Sequence, residues 1–112
     1  MQLIKIVGEE KEIKKYTKAV NELLTLYKNL NDGENSRLFT DKQFKNILQK
    51  ALENPSYGED TLKGRVLREN LLSDKSLSDI ARESMYSISR IYDIKHKILK
   101  EFASVTFGVI IL

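Results

Sequence analysis

One stretch narrows the possible folds more than any other: Leu72 to Phe102, which reads as two helices separated only by Met85 and Tyr86. The first is expected from about Ser76 to Ser84. The Ser76 hydroxyl is placed to accept the free backbone N–H of Asp79, in an S-x-x-D variant of the capping box. Leu77, Ile80 and Ala81 then share one face at helical spacing. Ser87 is suited to cap the second helix, whose Ile88, Ile91, Ile94, Ile98, Leu99 and Phe102 form an apolar stripe. The opposite arc carries Ser89, Asp93, His96 and Lys100, flanked by Arg90 and Lys97. A short helix crossed by a longer one with a small, polar and basic start is the geometry of a helix-turn-helix. A plain helical hairpin with a solvated polar face fits the same pattern.

The remaining segments are also helical in period. Glu9 to Leu30 repeats Ile13, Tyr16, Val20, Leu23, Tyr27 and Leu30 at alternating spacings of three and four, broadened by Ala19, Leu24 and Leu26. Glu9, Glu10 and Glu12 crowd its first turn, where the helix dipole favours negative charge. Two roles stay open for this helix, a core element beneath the C-terminal half or a dimerisation helix. Asn31 to Arg37 reads as a polar turn with Gly33 available as a C-cap. Thr40 or Asp41 then starts a helix to about Leu52, and Asn54-Pro55-Ser56-Tyr57-Gly58 breaks it. Asp60 caps a further helix to about Leu72, with Leu62, Val66, Leu67 and Leu71 inward and Arg65, Arg68 and Glu69 outward.

The expected fold is therefore all-α: residues 1–34 form a lead-in and long heptad helix, and residues 35–112 a helical domain with the helix-turn-helix at about 76–103. Met1 to Gly8 reads as a short strand or extended lead-in. The tail from Val105 to Leu112 is too apolar to stay in water, so it is expected on the core, beside Leu3–Val7, or in a partner chain.

Composition bounds the function. A hydrophobic content of 41% with 31% charged residues suits a folded chain rather than a disordered one. There is no cysteine, hence no disulfide framework or thiolate zinc site, and no metal or cofactor is expected. No apolar run reaches the ~20 residues of a membrane span and no signal-peptide core opens the chain, so the expected location is the cytoplasm. Residues 1–60 hold ten Lys/Arg and ten Asp/Glu, whereas residues 61–112 hold nine and six, so the whole net charge of +3 lies in the helix-turn-helix half. No metalloprotease, phosphate-loop or nucleophile-elbow pattern appears, and no enzyme is expected.

That distribution points to nucleic acid. Base edges in a major groove are read by short donors and acceptors or by a long guanidinium fork, which Ser89 and Arg90 offer. Phosphates are met by fixed positive charge, which Lys97, Lys100 and Lys95 supply. His96 reads as a solvated histidine, Tyr16 and Tyr27 as core, and Tyr86 and Tyr92 as neighbours of the second helix.

Two stretches together resemble the ArpU/late-transcription-regulator family of phages and prophages of Gram-positive bacteria. One is Glu9-Glu10-Lys11 through Tyr16-Thr17-Lys18-Ala19-Val20, with Leu23-Leu24, Tyr27 and Leu30. The other is Leu77-Ser78-Asp79-Ile80-Ala81 followed by Ser87, Tyr92, Lys95, Lys97, Leu99 and Phe102-Ala103. The resemblance covers roughly residues 9–108 and implies a sigma-factor-like helix-turn-helix regulator of late genes. By position it implies base contacts from Ser89, Arg90 and Asp93, with Ser87 capping the recognition helix. Ser87, Arg82, Lys97 and Lys100 are then expected on phosphates, joined by Thr61 and Lys63 from the preceding helix. The expected partners are double-stranded DNA, further copies of the chain as a homodimer or higher oligomer because one helix-turn-helix binds modestly, and, for an adaptor, RNA polymerase. The family turn normally carries glycine where this chain has Met85 and a large aliphatic where it has Ser84, which predicts a turn of different shape. Two rivals share the pattern: a small packaging-terminase subunit, and a helical adaptor that binds a protein rather than DNA.

Overall fold

A computed structural model describes residues 5–29 and 39–112. The fold is all-α apart from a two-stranded ribbon. In chain order it comprises β1 (Lys5–Val7), α1 (Glu10–Asn29), α2 (Phe39–Glu53), a 3₁₀ turn (Pro55–Tyr57) and α3 (Leu62–Arg65), which widens into a π-helical segment (Val66–Leu71). Then come α4 (Leu77–Ser84), α5 (Ile88–Phe107) and β2 (Val109–Ile111). Leu3 and Ile4, Leu30, and the Asn31–Arg37 turn with its Gly33 cap lie outside the described residues. Because α2 begins at Phe39, Thr40 and Asp41 lie in its first turn rather than ahead of it.

One core joins both halves of the chain. Val20 and Leu24 of α1 pack in the same cluster as Phe44 and Leu48 of α2, Ile80 of α4, and Ile91, Ile98 and Phe102 of α5. Burying a side chain of this size contributes about 1.5–3 kcal/mol, so this cluster dominates the stability. α1 is thus a core helix beneath the C-terminal half. Its most buried line runs Ile13, Thr17, Val20 and Leu24, rotated from the expected Tyr16 and Leu23 seam, whose members are only half-buried. Thr17 tolerates that position because its hydroxyl donates to the Lys14 carbonyl at 3.2 Å.

The segment before α4 departs from the simple helix expected there. Thr61, not Asp60, is the N-cap: its Oγ1 accepts from the Gly64 N–H at 2.9 Å and donates to the Gly58 carbonyl at 2.7 Å. A Cβ on Gly64 would lie 2.0 Å from the Gly58 oxygen and 2.6 Å from the Tyr57 oxygen, so glycine alone lets α3 seat on the 3₁₀ turn. Arg68, expected to face out, reaches back and donates to the carbonyls of Tyr57 and Leu52. It thereby satisfies backbone acceptors that the break around Pro55 leaves open.

α5 is longer than expected. It continues through Phe107 and stops at Gly108, whose φ of 64° closes the helix in a left-handed cap. The last residues then pair in parallel with the lead-in, Lys5 opposite Val109 and Val7 opposite Ile111. Val7, Ile13 and Val109 form a small second core with Tyr16 and Ile111 against them. Only part of the apolar tail is covered, since Val105, Phe107, Ile110 and Leu112 remain exposed.

Candidate nucleic-acid interface

α4 and α5 follow one another across the short turn of residues 85–87, with local hydrogen bonds at both starts. The Ser76 hydroxyl accepts from the Asp79 N–H at 3.1 Å, and the Ser87 hydroxyl from the Arg90 N–H at 3.3 Å. Between the helices Met85 lies at φ 63°, ψ 26°, so the turn keeps the left-handed geometry that glycine would favour. The altered turn shape expected from Met85 is therefore corrected: the backbone is left-handed with methionine in place. Ser84 helps by donating to the Ile80 carbonyl at 2.7 Å, tying off the last turn of α4. Behind the turn, Ile80, Ala81 and Ile91 are buried and hold the second helix against the first.

The nine cations of residues 61–112 divide cleanly. Lys63 pairs with Glu101 at 2.7 Å, Arg65 with Glu69 and Glu83, Lys75 with the same two carboxylates, and Arg82 with Asp79. Arg68 is bound to backbone carbonyls. Those left without an ion-pair partner among the described residues, Arg90, Lys95, Lys97 and Lys100, all belong to α5.

Ser87, Ser89, Arg90, Asp93, His96 and Lys97 are exposed, and Lys100 is half-buried. The Arg90 guanidinium lies 5.8 Å from the centre of the Tyr86 ring, a cation–π contact that orients the side chain outward from the helix start. A groove of about 490 Å³ follows the polar face past Asp93, His96, Lys97 and Lys100, with Ile111 and Leu112 of the terminal ribbon as its far wall.

Two of the expected phosphate contacts are engaged elsewhere. Thr61 is occupied as the α3 cap. Lys63 is held between the Glu101 carboxylate and the Tyr57 ring, 4.8 Å from its centre. Tyr57 donates to the same carboxylate at 2.6 Å. Burial and this hydrogen bond push the Tyr57 phenol well above its usual pKa. Burial raises the Glu101 carboxyl, but hydrogen bonds from Lys63 and Tyr57 outweigh it and hold the group below the carboxylate range. This is a structural cluster pinning the 3₁₀ turn and α3 to α5. Arg82 remains exposed, with Asp79 as its neighbour.

The structure adds residues that helical spacing had assigned to the core or left undecided. Ile88, expected on the buried stripe, is 41% exposed, and Tyr86 is 50% exposed. Met85, 92% exposed, and Tyr92, 58% exposed, add to this uncovered apolar and aromatic surface, Ile88 and Tyr92 lying about 160° around α5 from Arg90. One signal in the sequence could have marked Ile88: it is the first residue after the Ser87 cap, where a helix begins before its neighbours cover it.

Among the described residues there is no group of carboxylates and histidine able to hold a metal ion. No described helix is long and apolar enough to cross a membrane. No family model, curated protein or solved structure matches this chain.

Proposed function

We propose that this chain is a sequence-specific DNA-binding transcription regulator that reads the major groove with α5, and that it acts on late genes of a phage or prophage, as its resemblance to the ArpU-like regulators implies. The observation that carries the reading is the segregation of charge: tertiary contacts occupy Lys63, Arg65, Arg68 and Lys75, leaving Arg90, Lys97 and Lys100 on one side of α5, with the exposed Arg82 held only by its α4 neighbour Asp79. In this reading Arg90 is the base-reading fork, Ser89 and Asp93 flank it, and Ser87, Lys97, Lys100 and Arg82 take the phosphates. Met85, exposed in the turn ahead of α5, supplies apolar surface for thymine methyl groups. One short recognition helix has modest affinity, so two copies on two half-sites are required for specificity.

The test is a titration of duplex DNA from upstream of the neighbouring late genes, against a scrambled duplex, at two salt concentrations. Binding is expected to prefer the first duplex and to weaken with salt. Arg90→Ala should lose about 1–3 kcal/mol and the sequence preference with it. Equal, weak binding to both duplexes that Arg90→Ala leaves unchanged would sink the proposal. A second reading, the protein adaptor that docks on RNA polymerase, is favoured by the exposed surface of Met85, Tyr86, Ile88 and Tyr92. It predicts that outcome.

A further inference from the structure

A second polar cavity, of about 260 Å³, lies where α1, the loop before α4, and α5 meet. It is large enough for a phosphate group with several waters, each taking about 30 Å³. Three ammonium side chains line it from three separate elements: Lys28 of α1, Lys75 of the loop and Lys95 of α5, beside Asn21, Ser73 and Asp74. Lys95 points about 140° around α5 from Arg90, away from the proposed reading face.

The cations are not equally satisfied. Lys75 is paired with Glu69 and Glu83. Lys28 is paired with Asp74, whose side chain is 89% exposed and therefore free to leave. Lys95 is half-buried with no ion-pair partner among the described residues, and burial alone depresses its pKa. Burial removes water from the Lys95 ammonium group without supplying opposite charge, which an anion in the cavity provides. The neighbouring Asn70 amide and Thr25 hydroxyl are bound to backbone carbonyls, at 2.8 and 2.9 Å. The Ser73 hydroxyl and Asn21 amide also line the cavity.

We propose that this cavity binds a phosphate group, with Lys95 as its main contact, Lys28 and Ser73 beside it, and Asp74 as a displaceable carboxylate at its mouth. The phosphate can belong to a small ligand or to a DNA backbone lying across the start of α4. The chemistry is the same in both cases, and the site does not depend on the DNA reading.

The experiment is calorimetric titration of the full chain with inorganic phosphate, chloride being adjusted to hold ionic strength constant. Wild type should bind one phosphate saturably. Lys95→Met should weaken binding by about tenfold or more, while Lys95→Arg keeps it. Asp74→Asn should tighten binding by about two- to fivefold, because the competing carboxylate is gone. No saturable binding by wild type, or equal affinity in Lys95→Met, overturns the site. Should Lys95→Met fail to fold, Asp74→Asn decides: unchanged or weaker affinity overturns the proposal. A duplex titration at saturating phosphate then separates the sources. Competition between the two supports a backbone phosphate, and independent binding supports a small phosphorylated ligand.

Discussion

At position 85 a side chain almost wholly in water sits on a backbone at φ 63°. Left-handed geometry costs a residue with a Cβ about 1–2 kcal/mol, and Met85 makes no buried contact to offset it. Glycine relieves that strain but gives back part of the gain through the entropy of the unfolded chain. Met85→Gly is therefore expected to stabilise the protein by about 0.5–1 kcal/mol, read as a higher denaturant midpoint at unchanged slope. A loss of stability would mean that the methionine packs in solution. Strain kept at an exposed position is the pattern expected where a side chain serves contact rather than folding.

At the scale of elements, α4 is attached to the π-helical segment by a four-member charge network, Arg65–Glu69–Lys75–Glu83. The Arg65 hydrogen bond holds the Glu69 carboxyl down at about 2, against an opposing contribution from burial. Glu83 is lowered too, chiefly by Lys75. A carboxyl depressed in the folded state stabilises fully above its unfolded pKa of about 4.5 and loses that contribution as pH falls towards 2. Thermal midpoints of wild type and Glu69→Gln should differ at neutral pH and converge between about pH 4.5 and about pH 2. A constant gap across that range would show that the network does not act through charge. The same elements explain what the sequence made legible. The Ser76 and Ser87 caps were readable because each needs only a hydroxyl and an N–H three residues on. Helical spacing gave the face of α1 but not its centre, because the choice between Thr17 and Tyr16 depends on α5. The π-helical segment and the fate of Lys63 were not legible. They depend on Arg68 reaching Leu52 and on Glu101 arriving from 38 residues away.

At the largest scale the described fold is closed by the pairing of β1 with β2. Val7 is fully buried though it lies in a three-residue strand, and it packs with Ile13 and Val109. Val7→Ala should cost about 2 kcal/mol, two lost methyl groups plus the cavity they leave, measured by denaturant unfolding. A cost near zero would show that the ribbon is detached from the folded unit. Because the strands run parallel, Lys5 beside Val109 and Val7 beside Ile111, the chain enters β1 at one end of the ribbon and leaves β2 at the other. A force drawing these two ends apart therefore acts along the strands in opposite directions. The ladder is loaded in shear, and its hydrogen bonds must fail together instead of one after another. The terminal pair is a mechanical clasp: tethered at both ends, the molecule should give way there in a single step before the helices separate.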